Sequence, residues 1–262
     1  MKRVCVLTGG SGGIGKATAS LLVQNGFTVY ELSRTGADAD VIRHITADVT
    51  EPEQVKAAVA QVIAEEGQLD LLVNNAGFGI SGAVEFTDPK DAFAQLNVNF
   101  FGTLHCIQAV LPIMRAQKSG HIVNISSVAA PIAIPFQAFY SATKAATNSL
   151  TLALRNEVKP FGIQACAILP GDVKTGFTAA RKKSCAGAGV YGEAVDRAVA
   201  VMEHDEQNGM PPELVAKAVL RAANAKHPKA YYTVGLQYQV FVLLARILPA
   251  TWTNALVGMI YK

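Results

Sequence analysis

Residues 4–24 read Val-Cys-Val-Leu-Thr-Gly-Gly-Ser-Gly-Gly-Ile-Gly-Lys-Ala-Thr-Ala-Ser-Leu-Leu-Val-Gln. The apolar run 4–7 has the length of a buried strand, and residues 17–24 have the composition of a helix. The glycines between them therefore occupy a strand-to-helix turn. Glycine permits a sharp turn and a close approach by another group. The helix behind it presents free N–H groups and a partial positive charge. Together they make a seat for a phosphate. Four patterns fit these letters. Gly10-x-Gly12-x-x-Gly15 satisfies a dinucleotide fingerprint. Residues 10–16 approach a P-loop, but Ala17 stands where a Mg²⁺-binding hydroxyl is needed, and Thr18 is about 100° further round the helix. Gly9-x-Ser11-x-Gly13 matches the nucleophile elbow of a serine hydrolase, although that elbow follows several strands and one strand precedes it here. Thr8-Gly9-x-x-x-Gly13-x-Gly15 is the fourth.

Working outward, strands and helices alternate. Residues 28–32 read as a second strand ending at Ser33-Arg34, and 45–47 as a third closed by Asp48 and Val49. Pro52 starts a helix with Val55, Val59, Val62 and Ile63 at helical spacing. A fourth strand, 69–73, ends in Asn74-Asn75-Ala76-Gly77. A long helical stretch follows over 89–116. The fifth strand, 122–125, ends at Ser126-Ser127. A second long helix covers 139–158, and a sixth strand, 163–169, stops at Pro170-Gly171. Pro211-Pro212 starts a further helix through Ala223, and 230–234 reads as a last strand. Short apolar strands alternating with helices predict an α/β fold: one doubly wound, Rossmann-type domain over 1–262, with about seven parallel strands and helices on both faces. The ends of the first six strands each carry a polar cluster, and ligands bind beyond the carboxyl ends of such strands. Residues 171–210 are expected to form a mobile substrate lid with some helix.

Composition narrows the function classes. Half of the 262 residues are hydrophobic, 16% are charged and the net charge is +3. Disorder and nucleic-acid binding are not expected. Arg181-Lys182-Lys183, the one basic cluster, reads as a solvated loop. Cys5, Cys106, Cys166 and Cys185 have no metal or redox spacing, which is the usage of a reducing, cytoplasmic compartment. The five histidines are scattered, so no metal site is expected. A strand entered by Val4 leaves no room for a signal peptide.

The chemistry lies in Tyr140-Ser-Ala-Thr-Lys144. Four residues apart on a helix, the two side chains share a face. A tyrosine has a pKa of about 10, and a nearby ammonium favours the phenolate, so Tyr140 is expected to become a usable acid/base. Ser127 ends the preceding strand, where its hydroxyl can hold a substrate carbonyl oxygen that Tyr140 protonates.

These motifs, in this order over residues 4–175, resemble the short-chain dehydrogenase/reductase family. The resemblance rests on the Thr8 to Gly15 turn, Asn74-Asn75-Ala76-Gly77, Asn99 with Gly102, Ser127, Tyr140-x-x-x-Lys144, and Pro170-Gly171 with Val173 and Thr175. It implies an oxidoreductase transferring a hydride between a nicotinamide dinucleotide and a ketone or secondary alcohol. Tyr140 would be the general acid or base, Lys144 would hold the nicotinamide ribose, Ser127 would orient the substrate oxygen, and Asn99 would hold a relay water. Gly9, Ser11, Gly13, Ile14, Gly15, Ser33, Arg34, Asp48, Val49, Asn75, Ala76, Gly77, Tyr140, Lys144, Pro170, Gly171, Val173 and Thr175 would line the cofactor. The family also implies a homodimer or homotetramer through the two long helices.

NAD enzymes place an acidic residue after the second strand, on the ribose 2′-hydroxyl. Here that place falls on Ser33, followed by Arg34, which can grip a 2′-phosphate. NADP(H) is therefore favoured over NAD(H). A shift of two residues would put Glu31 there instead. Ile132, Ile134, Phe136 and Phe139 flank the catalytic residues and Phe177 follows Thr175, which suggests an apolar substrate pocket contributed by Phe136 and Phe177 beside Ser127 and Tyr140. The tail 236–262 is strongly apolar but interrupted at Arg246 and Pro249, too broken to span a membrane. It reads as a helical hairpin covering the core or a subunit contact, with contact to a membrane surface, through Arg246 and Lys262, as the less favoured reading. Two other readings compete with the enzyme: a non-catalytic dinucleotide sensor, and a serine hydrolase acting through Ser11.

Overall fold

The computed structural model describes residues 3–38, 41–184 and 186–261; Cys185 and Lys262 lie outside them. Strand β1 (Arg3–Thr8) runs into helix α1 (Gly13–Gln24), followed by β2 (Phe27–Ser33), β3 (Ile42–Thr46), α2 (Pro52–Glu66) and β4 (Leu71–Asn74). After β5 (Ile80–Ser81) come α3 (Pro89–Leu96), α4 (Gly102–Gln117), β6 (Gly120–Ile125), α5 (Ala138–Val158) and β7 (Ile163–Pro170). The segment beyond holds α6 (Phe177–Ala180), β8 (Lys182–Lys183), α7 (Ala188–Tyr191), α8 (Ala194–Gln207) and α9 (Pro212–Asn224), then β9 (Tyr231–Val234), α10 (Leu236–Ile247) and α11 (Ala250–Ile260).

Seven strands pair in parallel in the order β3-β2-β1-β4-β6-β7-β9. The order reverses beside β1, and this is the switch point where a crevice opens at the strands' carboxyl ends. Both faces are covered, as the uninterrupted apolar strands require. On one face Val55, Val59 and Val62 of α2, Ile107 and Val110 of α4, and Leu154 of α5 pack on the sheet. On the other, Ala19 and Leu22 of α1 and Val215, Val219 and Ala222 of α9 do so. A small third cluster under the segment 177–207 joins Ala83, Val195 and Val199 to Phe86 and Phe136.

The structure departs from the sequence reading in two places that matter for function. Residues 89–117 are not one continuous α-helix: a π-turn, Asn97–Phe101, separates α3 from α4. It turns Asn99 inward, where the side chain bonds the backbone N–H and C=O of Phe78, each at 3.0 Å, and Thr143 Oγ1 at 3.2 Å. Such π-turns re-aim one side chain out of helical register. The solvated basic loop is also corrected. Arg181 is 4% exposed and ion-paired with Glu206, because Lys182 and Lys183 form a short strand on Ile80–Ser81 that pulls it under the segment.

Candidate active site

The glycine turn is held from β4. Thr8 Oγ1 accepts the N–H groups of Asn75 and Ala76 at 3.0 Å, and Asn75 Nδ2 donates to Gly9 O at 2.9 Å. Gly9 and Gly13 have φ of +68° and +50°, a region that only glycine enters readily. Gly12 caps α1 without a side-chain bond, and the first turn of α1 carries no acidic residue. Its N–H groups remain available to an anion. Lys16 is exposed on the outside of α1, so the P-loop reading falls away. Gly15 is buried behind the turn, where a Cβ would lie 2.1 Å from Gly9 O; its place is packing rather than ligand contact.

A cavity of about 810 Å³ follows the carboxyl edge of the sheet. Ser33, Arg34, Asp48 and Val49 line its β2–β3 end; Gly9, Ser11, Gly13, Ile14, Asn75, Ala76 and Gly77 line its middle. Ser127, Tyr140, Lys144, Pro170, Gly171, Val173, Thr175 and Phe177 line the end below β6 and β7. Glu31 is absent from the wall. Its carboxylate accepts from Gly10 N–H and Ser33 Oγ, each at 3.1 Å, and pairs with the His44 ring. The end of β2 and the turn after it present Leu32, Ser33, Arg34 and Thr35 to the cavity.

At the far end, α5 places Tyr140 and Lys144 one turn apart. Lys144 is 6% exposed, its Nζ donates to Ile125 O at 2.8 Å, and it lies 5.6 Å from the centre of the Tyr140 ring. Burial lowers the lysine to about 8. Burial also pushes the phenol of Tyr140 up to about 12, opposed by a hydrogen bond with Ser127. The expected lowering of the phenol by Lys144 is therefore not met. Burial is the largest cause of both shifts, and it disfavours the charged form of each group. Asn99 stands behind the wall: a Cβ on Gly77 would meet its Oδ1 at 3.0 Å and Lys144 Nζ at 3.8 Å.

Phe177 reaches the site, its ring 5.6 Å from that of Tyr140. Phe136 does not. It has a φ of +57° and packs edge-on against Tyr191 at 6.0 Å, in the cluster under α8. Ile134 lines the cavity, whereas Ile132 and Phe139 do not. Gln137, Asp172 and Glu206 are among the lining residues that escaped the sequence reading. Asp172 had a visible signal, since it stands between Gly171 and Val173; Glu206 had none, being one of several charges in an irregular segment. Glu206 accepts from Thr178 Oγ1 at 2.6 Å and pairs with Arg181; Asp172 accepts from Tyr238 OH at 2.5 Å. Burial raises the pKa of both carboxyls.

The short chain dehydrogenase family profile matches residues 3–186. The chain is 39% identical to a 3-ketodihydrosphingosine reductase of Bacteroides thetaiotaomicron over 241 residues, 91% of this chain and 90% of the relative. ElxO solved with NADP bound superposes with a TM-score of 0.76 at 28% identity, covering 92% of this chain and all of that one. A short-chain dehydrogenase/reductase of Burkholderia phymatum in complex with NAD superposes at 0.80 with 25% identity, covering 93% and 92%. With the fold, the glycine turn and the Ser127–Tyr140–Lys144 arrangement in place, the chain belongs to the short-chain dehydrogenase/reductase family of NAD(P)-dependent oxidoreductases.

Proposed function

We propose that this chain reduces a hydrophobic, long-chain ketone with NADPH, Tyr140 giving the proton. One observation carries the reading: Ser127, Tyr140 and Lys144 meet at one end of a cavity at whose other end Ser33 and Arg34, not a carboxylate, follow β2. The residues fit a dinucleotide. The capless start of α1 can receive the pyrophosphate, and a Cβ on Gly12 would meet nothing within 4 Å. Arg34 can hold a 2′-phosphate through parallel N–H donors, and Asp48 lies beside the adenine end. When bound, the nicotinamide supplies the hydride.

The chain's own residues handle the proton. A phenol held near 12 keeps its proton at neutral pH, the form a general acid needs. Ser127 can donate to the substrate oxygen as negative charge grows on it. Lys144, charged, favours the phenolate that remains. Val128, Ile134 and Phe177 supply apolar wall, while Asp172 and Glu206 add two carboxyl groups to the lining that can accept from a substrate bearing an amine. A 3-keto sphingoid base, as in the Bacteroides relative's name, combines these features. A homo-oligomer fits the exposed Phe101 and Leu152 beside α4 and α5, and a reducing, cytoplasmic setting fits the free thiols of Cys5, Cys106 and Cys166.

The test is turnover of 3-ketodihydrosphingosine followed by nicotinamide absorbance. NADPH should give the higher kcat/KM, and Arg34→Ala should cost it about 10- to 100-fold while leaving NADH nearly unchanged. Tyr140→Phe should still bind NADPH but turn over about 10²- to 10⁴-fold more slowly. A wild-type preference for NADH would overturn the cofactor assignment, and full activity of Tyr140→Phe the proton assignment.

A further inference from the structure

The hairpin α10–α11 is built like a soluble helix pair turned inside out. Val240, Leu243 and Ile247 form one stripe on α10, 49%, 56% and 69% exposed. Trp252, Leu256 and Met259 form another on α11, 65%, 47% and 60% exposed. Spacings of three and four residues keep each stripe on a single helical face. The buried side is narrow, made by Tyr238, Val242 and Val257. Isolated exposed apolar residues are ordinary, but a contiguous patch marks an interaction surface.

We propose that this hairpin docks on a lipid bilayer surface and sets the mouth of the cavity against it. Three observations favour a bilayer over a second copy of the chain. No aspartate or glutamate occurs in residues 236–261, and the charged side chain there is Arg246, so nothing repels an anionic headgroup layer. A stable protein interface surrounds its apolar centre with hydrogen bonds, roughly one per 100–200 Å². The two stripes offer no polar group beyond the indole N–H of Trp252, a side chain favoured at the membrane–water boundary. Helices of 12 and 11 residues are too short to span but long enough to lie in the headgroup layer.

The hairpin is also fastened to the cavity wall. Tyr238 bonds Asp172, and its ring fills the space a side chain on Gly171 would take, 2.1 Å from a Cβ there. An apolar substrate partitioned into the bilayer would leave it beside Gly171 and Asp172. This delivery step rests on the ketone-reductase reading; the docking does not.

Trp252 is the only tryptophan of the chain, so its emission reports the hairpin alone. Full-length protein is titrated with phosphatidylglycerol–phosphatidylcholine vesicles, some carrying brominated acyl chains. Docking predicts a blue shift, quenching by the brominated lipid and co-sedimentation. Leu243→Glu with Ile247→Glu should lose all three and keep turnover of a short, water-soluble ketone, which also shows that the variant folds. Emission of the wild type indifferent to vesicles would overturn the proposal. So would a blue shift that follows protein concentration without lipid, which would give the face to a second copy. Docking without turnover of any ketone would uphold the surface and refute the reductase reading instead.

Discussion

Two apolar stretches of this chain meet opposite fates. Residues 4–7 enter β1, and all four are at most 1% exposed. Residues 240–245 are as apolar, yet Val240, Phe241 and Leu243 remain about half exposed in α10. Composition does not separate them; topology does. The strand has a helix layer on either side, α2, α4 and α5 on one and α1 with α9 on the other. The hairpin follows the last strand, when both layers are complete, and can touch the domain along one narrow line. Burial is set by whether the fold has an unfilled face left, which hydropathy alone cannot report.

The sharpest way to break this comparison uses glycine in both regions. Gly15→Ala puts a methyl 2.1 Å from a backbone oxygen, Gly9 O, and 2.7 Å from Asn75 Nδ2. Neither is the loose end of a flexible side chain, so α1 must move off the turn. We expect a loss of about 2–4 kcal/mol in urea unfolding, together with loss of dinucleotide binding by fluorescence titration. A variant of wild-type stability and affinity would show that the turn is not packed as described.

The same contrast explains what was legible. The sheet edge could be read because its signals are local: a glycine pattern, a strand ended by Asn74-Asn75-Ala76-Gly77, a Tyr and a Lys four apart. Asn99 was visible as a motif but its π-turn was not, since the break is imposed from outside by Phe78 and Thr143. Phe136 failed as a pocket residue because adjacency in sequence to Tyr140 does not fix direction; a positive φ turns it toward Tyr191. Arg181 was misplaced for a related reason. Its burial depends on Glu206, 25 residues later, and no pattern in the segment links them.

A smaller effect of opposite sign is expected at Lys144. Lys144 is buried and its pKa falls from 10.5 to about 8. A lysine bound less tightly to its proton when folded destabilises the fold. The penalty is complete below pH 8, where both states are charged, and is relieved as pH rises from about 8 to 10.5. Lys144→Met should therefore be more stable at pH 7 by about 1–3 kcal/mol, less any cost of leaving Ile125 O without its donor. The gain should shrink above pH 8, while turnover is lost. This would be stability given up for function, and thermal melts across pH 6–10 measure it. A lower Tm at pH 7 would mean that the hydrogen bond to Ile125 outweighs desolvation.

The smallest effect returns to glycine. Gly258 lies within α11, and a Cβ there would meet nothing within 4 Å. Alanine removes the backbone freedom that glycine loses on entering a helix, worth about 0.5–1 kcal/mol. Gly258→Ala should therefore stabilise the hairpin, the reverse of Gly15→Ala for the same added methyl. The gain belongs to α11 alone, so it should appear in the melt followed by Trp252 emission more clearly than in the far-ultraviolet melt of the whole domain. A destabilised hairpin would mean that α11 is packed closely against another surface at Gly258.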